Sequence, residues 1–154
     1  MDTKDLGNLS PTNFDKKDNK KNVGRKSNSK LVGDEGEKMA CEYLVSKGYK
    51  IIGKNYRINF GEIDIIARKN WGLFRKNDKT IHFVEVKTLT DGNNFYPEEH
   101  VDYKKKNKYK RLAEIWLSKN KVPENTPYQI DIIAVSFGEI CEPKIDYFEN
   151  IVGG

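Results

Sequence analysis

An α/β domain follows from the pattern of apolar residues in this chain. Runs rich in β-branched and aromatic residues, Tyr49 to Ile58, Gly61 to Arg68, Thr80 to Leu89 and Tyr128 to Phe137, read as strands. Two longer stretches, Asp34 to Gly48 and Pro97 to about Asn120, carry apolar residues at helical spacing. Two of the strand runs also enclose acids and a lysine: Gly61-Glu62-Ile63-Asp64-Ile65-Ile66-Ala67 and Phe83-Val84-Glu85-Val86-Lys87. Burying a carboxylate is expensive unless a cation, a metal or a hydrogen-bond donor compensates it, so these acids point to a purpose.

With 154 residues the chain suits one domain with a real core. No stretch approaches the apolar length that spans a bilayer, and the polar, lysine-rich N-terminus lacks the apolar run of a signal peptide. The expectation is a cytoplasmic protein with no membrane partner. Cys41 and Cys141 lie far apart, with no CxxC pair and only His82 and His100 to assist. That excludes a zinc knuckle or a disulfide framework and predicts two reduced thiols. Of the net charge of +5, residues 1–30 account for +4, with eight Lys/Arg against four acids. The stretch 101–121 holds eight Lys/Arg against two acids, so one helix is expected to carry the positive face of a nearly neutral folded part.

Residues 1–30 are rich in Asn, Lys, Asp, Ser and Gly and poor in apolar side chains. They cannot bury enough surface to offset ordering entropy and are expected to form a disordered basic tail, leaving 31–154 as the domain. The first helix is expected to begin near Asp34, whose Asp34-x-x-Glu37 spacing resembles a capping box, and to stop at Gly48. Ala40, Tyr43 and Leu44 form its core face, and Glu37 lies on or beside that face, so its carboxylate serves the cap, a site, or both. The next three strands suggest an antiparallel meander, with an irregular loop, 69–79, before the third. Asp91-Gly92-Asn93-Asn94 is a turn signal, after which Pro97 opens the long helix. The stripe Leu112, Ala113, Ile115 and Trp116, continued backwards, passes through Tyr109, Lys108, Lys105 and Val101, so two lysines are expected to extend the core face. A strand with the embedded acid Asp131 and a short segment around Lys144 to Phe148 end the domain.

Strand side chains alternate, so Ile81, Phe83, Glu85 and Lys87 share one face of their run, while Asp64 shares a face with Glu62 and Ile66 of its own. Asp64 and Glu85 are oxygen ligands suited to Mg²⁺ or Mn²⁺, and the Val86 carbonyl is a further candidate ligand. Lys87, about 6 to 7 Å along the strand from Glu85, is placed to orient a water or to stabilise developing phosphorane charge. Glu37 is a candidate to complete the metal shell directly or through water. These are the parts that phosphodiester hydrolysis needs. Lys104, Lys105, Lys108 and Arg111, beside Tyr103 and Tyr109, are candidates for phosphate binding. Trp71 and Phe74 are aromatic enough to stack on bases. Asp131 is read as a structural acid, and neither His82 nor His100 is given a catalytic role.

The order Gly33-x-x-Gly36-Glu37-x-x-Ala40, Asn55-x-Arg57, Gly61-Glu62-Ile63-Asp64-x-Ile66-Ala67, Phe83-Val84-Glu85-Val86-Lys87, Trp116-Leu117 and Asp131-Ile132-Ile133-Ala134-Val135 resembles the YraN-like family over residues 31–152. That family is similar to the restriction-endonuclease-like superfamily, whose signature is an Asp followed by Asp/Glu-x-Lys. The resemblance implies a restriction-endonuclease-like mixed β-sheet core flanked by α-helices. It makes Asp64 and Glu85 the metal-binding acids, Lys87 the catalytic lysine, Glu37 a helix acid also seen in archaeal Holliday-junction resolvases, and Lys105 a basic residue of the following helix. Ile63 stands where the superfamily has proline. The reading that results is a Mg²⁺- or Mn²⁺-dependent endonuclease acting on DNA, by analogy branched or damaged DNA in repair or recombination. Cutting both strands would favour a homodimer. The alternatives are a nucleic-acid-binding module that keeps the fold without turnover, and a scaffold for a protein partner.

Overall fold

The computed structural model describes residues 20–69, 78–90, 95–138 and 142–152; side chains are described for these residues except 20–27 and 98. Residues 1–19, the turn at 91–94, Trp71 and Phe74, and Cys141 lie outside the described residues. The element order is α1 (Lys20–Ser46), β1 (Tyr49–Ile58), β2 (Gly61–Lys69), β3 (Ile81–Leu89), α2 (Pro97–His100), α3 (Tyr103–Lys119), β4 (Tyr128–Ser136) and β5 (Lys144–Phe148). The strands form one sheet in the order β1-β2-β3-β4-β5. The expected meander is there: β1, β2 and β3 pair antiparallel. Strand β4 then joins β3 in parallel, because a helical crossover returns the chain to the same end of the sheet. Strand β5 closes the mixed sheet antiparallel to β4.

Apolar side chains on the two faces of the sheet build two cores. Leu112 and Ala113 of α3 pack with Ile66, Phe83, Ile130, Ile132 and Ala134. Ala40 and Leu44 of α1 pack with Ile65, Ala67, Val84, Ile133 and Val135. Strand β4 reads as an apolar run because both faces are covered, and Ile130 through Ser136 are all buried.

Two helix boundaries differ from expectation. Helix α1 begins at Lys20, so Asp34 lies in its interior and the expected capping box does not form. No proline interrupts Lys20 to Gly33, and a continuing helix satisfies the backbone without a cap. Its other end is as expected: Gly48 takes the left-handed conformation at φ 83°. The single helix expected from Pro97 is two. Asp102 is extended and accepts a 2.8 Å hydrogen bond from the Lys105 amide, starting α3 afresh after the four-residue α2. The stripe therefore does not run back to Val101, and Lys105 and Lys108, expected on the core face, are both exposed.

A polar cluster pins the β4–β5 side of the sheet. Asp131 is fully buried. It accepts from Tyr147 Oη at 2.7 Å, Gln129 Nε2 at 2.8 Å and the Asn150 amide at 2.7 Å, and His82 Nδ1 lies 2.8 Å away. The Tyr49 ring stands edge-on to His82 with centroids 4.9 Å apart. Burial and the adjacent Asp131 carboxylate push the Tyr147 phenol well above its ordinary range, which keeps it a donor. Asp131 is structural, as its pattern suggested. Asp131→Ala strands several buried donors at once, and the expected loss is about 3 kcal/mol of unfolding free energy by urea titration.

Candidate active site at the fork of β2 and β3

The β2–β3 ladder pairs Arg68 with Ile81, Ala67 with His82, Ile66 with Phe83 and Ile65 with Val84, and there it stops. Continued by one step the register would set Asp64 opposite Glu85. Instead the strands part, and the Asp64 carboxylate takes over from the backbone: Oδ2 accepts a 2.7 Å hydrogen bond from the Val86 amide. This departure also overturns the simple alternation expected along β2. Ile63 packs with Ile66 in the α3-side core, while Ile65 and Ala67 pack on the α1 side. A strand released from its neighbour is free to turn a residue out of register.

Four of the expected site residues meet at this fork. Asp64 is 9% exposed, and Glu85 and Lys87 are half-buried. Lys87 Nζ forms a close ion pair with Glu85 Oε1. Val86 enters through its amide. Burial raises the Asp64 carboxyl to about 7, the neighbouring Glu85 adds to the rise, the Val86 N–H opposes it, and Glu37 and Glu62 contribute further like charge. Glu37 is half-buried, and with Asp34 inside α1 the capping account of its inward lean no longer applies. Its approach depends on Gly36. A Cβ at that position would collide with Thr88 Oγ1 of β3, so only glycine lets α1 lie this close to the strand.

Tyr109 of α3 was expected in the helical stripe and beside the basic residues, not at the acids. Its phenol lies against the Glu85 carboxylate and, held in the core, is pushed well above the ordinary tyrosine range by burial, then by Glu85 and Asp64. Its signal in the sequence was the helical spacing to Leu112 and Trp116, which aims it at the sheet but names no partner. Lys104, Lys105, Lys108 and Arg111 are all exposed. Lys105 Nζ is held at 2.6 Å by the His100 carbonyl, Lys108 runs across Gly61 at the start of β2, and Arg111 stacks on Phe60. His82 belongs to the Asp131 cluster and His100 stacks on Phe95, so neither joins the fork. A cavity of about 610 Å³, lined among others by Arg68, Asp78, Lys79, Trp116 and Lys121, opens at the other end of these strands and includes neither Asp64, Glu85 nor Glu37.

Among the described residues no three His, Cys, Asp or Glu side chains gather into a cage. The donor set still fits a hard cation such as Mg²⁺, which takes one or two carboxylates with carbonyl, water and phosphate oxygens. Two neighbouring acids, one of them buried, are a set of like charges that a divalent ion relieves. Asp64, Glu85 and the Val86 carbonyl are the groups that would hold it.

A mixed sheet between helices, with Asp64 on one strand and Glu85-x-Lys87 on the next, defines a domain of the restriction-endonuclease-like superfamily. The chain belongs to the family described as uncharacterised protein family UPF0102, the YraN-like family, which it matches over residues 36–135. A UPF0102 protein of Clostridioides difficile is 42% identical over 123 residues, 80% of this chain and 97% of that protein. UPF0102 proteins of Caldanaerobacter subterraneus subsp. tengcongensis and Campylobacter lari are also 42% identical, covering 72% and 79% of this chain and 84% and 93% of their own lengths. Within the described residues, no helix is long and apolar enough to cross a membrane.

A carboxyl raised from 3.8 to about 7 binds a proton in the folded chain that the unfolded chain has already released. The folded state therefore loses stability as pH rises through about 4 to 7, by at most about 4 kcal/mol. In cation-free buffer Asp64→Asn is expected to melt above the wild type at pH 8 and alongside it at pH 3.5, read by thermal denaturation across pH. Gly36→Ala, which at an unconstrained helix position stabilises by about 1 kcal/mol, is expected here to cost about 1–3 kcal/mol through overpacking. Adding Thr88→Ala should recover most of that loss in the same melts.

Proposed function

We propose that this protein is a metal-dependent nuclease that hydrolyses phosphodiester bonds of DNA, with branched or damaged DNA as its substrate by analogy with resolvases. The observation that carries this reading is the placement of buried Asp64 beside Glu85 at a strand fork, with Lys87 next to them. A structural ion pair needs one acid and one base, and the second carboxylate only adds repulsion. Bound Mg²⁺ or Mn²⁺ would supply positive charge to the scissile phosphate and lower the pKa of a water. Asp64 and Glu85 would hold that ion, Asp64 already oriented by the Val86 N–H and Glu85 lying against the Tyr109 phenol. Lys87 presents an ammonium beside Glu85, where it would stabilise charge developing on phosphate oxygens. Glu37 of α1, whose charge reaches Asp64, would hold a water of the shell. The exposed Lys104, Lys105, Lys108 and Arg111 supply a phosphate-facing surface on α3, outside the chemistry itself.

The test uses linear, single-stranded and four-way-junction DNA with and without Mn²⁺. Cleavage is expected only with the divalent ion, and Lys87→Ala, Asp64→Asn and Glu85→Gln are each expected to reduce it at least a hundredfold while binding in EDTA persists. Replacing Lys104, Lys105, Lys108 and Arg111 by alanine is expected to weaken binding and to flatten the log–log salt slope by about 0.9 for each duplex phosphate that is no longer neutralised. Salt-dependent binding without cleavage under any of these conditions would favour a non-catalytic module. A homodimer able to cut both strands predicts a two-chain mass in solution.

A further inference from the structure

The turn joining β1 to β2 presents a phenylalanine to solvent. Phe60 is 40% exposed although a tight turn gives it no core to fill. The Arg111 guanidinium lies 4.9 Å from its ring centroid, so a cation is already stationed over the aromatic surface. A cleft of about 390 Å³ opens between this turn and α3, lined by Arg57, Ile58, Asn59, Phe60, Ile115 and Lys119. Lys108 crosses Gly61, the residue next to Phe60, and Lys119 Nζ lies 6.0 Å from the Tyr56 ring centroid. Around one exposed ring there are thus four cations, and the acid beside them, Glu62, is paired to Arg57 at 2.8 Å.

An apolar aromatic face ringed by cations suits a ligand with a flat π-surface and flanking negative charge. An unpaired nucleotide has both, because its base stacks on an aromatic ring and its phosphates meet lysine and arginine. A continuous duplex presents only the phosphates, since its bases are stacked on each other. The spacing to the acids is also suitable. Phe60 precedes Asp64 by four residues along β2, roughly 13 Å of strand, which about four nucleotides stacked at 3.4 Å would span.

We propose that Phe60 is a stacking platform for an unpaired nucleobase, with Arg111 and Lys119 holding the adjoining phosphates. This proposal rests on the nucleic-acid reading given above and specifies the strand that reading places near the acids. The platform makes strand-separated DNA bind more tightly than an uninterrupted duplex.

The experiment uses the full chain in EDTA, so that no turnover intervenes, with a single strand carrying 2-aminopurine and a blunt duplex of the same length. The wild type is expected to quench 2-aminopurine on binding. Phe60→Ala is expected to abolish the quench and to weaken single-strand binding about tenfold, leaving duplex binding and the salt slope unchanged, because every phosphate-binding cation is kept. Phe60→Leu keeps apolar bulk without the π-face and is expected to behave as the alanine variant, whereas Phe60→Tyr should retain the quench. Wild-type behaviour from Phe60→Leu, equal losses on duplex and single strand, or an unchanged Phe60→Ala would overturn the platform. Metal-dependent cleavage with any of those outcomes leaves the nuclease reading standing and removes only the platform. Quenching by a protein that never cleaves keeps the platform and removes the nuclease.

Discussion

The parting of β2 from β3 is made possible by one substitution of a side chain for a backbone. Past Ile65 and Val84 the ladder would leave the Val86 amide without its partner across β2, and the Asp64 carboxylate supplies the acceptor instead. That bond spares the sheet an orphaned donor, holds Asp64 against its own tendency to be solvated, and brings it beside Glu85. Neither acid would stay there on apolar packing alone. The surrounding framework, α1 close on one side through Gly36 and α3 on the other through Tyr109, holds a charge arrangement that the isolated segments would avoid.

A rigid support elsewhere in the sheet makes such an arrangement tolerable. The Asp131 cluster ties β3, β4, β5 and the segment after β5 together through buried, well-directed hydrogen bonds, and it engages β3, the strand that carries Glu85 and Lys87 further along. The two clusters show opposite electrostatic designs. Asp131 is surrounded by donors and stabilises the fold. Asp64 has one donor and acidic neighbours, so burial and like charge drive it toward its protonated form.

Much of this was legible from residue order because strands declare themselves by composition and alternation. The extents of β1 and β5 match the expected runs, β2 through β4 differ by a residue, and the acids of the site stand out as polar interruptions of apolar runs. What the pattern hid was of two kinds. Local signals competed: Asp34 resembles a cap because it follows Gly33 and stands three residues before Glu37, and Asp102 escapes notice because a helical period can be drawn through it. Long-range neighbours were silent, since nothing in the order of residues says that Tyr109 reaches Glu85 or that Gly36 lies on Thr88. The alternation rule itself failed at Ile63, beside the place where β2 and β3 separate, and β1 shifts its register between Ile51 and Gly53.

Helix α3 carries an exposed basic surface and, turned the other way, the phenol that lies against Glu85. A polyanion pulling on the outer lysines would load the same rigid rod that steadies the carboxylate within. The surface and the fork thus share one helix: a small roll of α3 about its axis would shift the phenol that lies against Glu85.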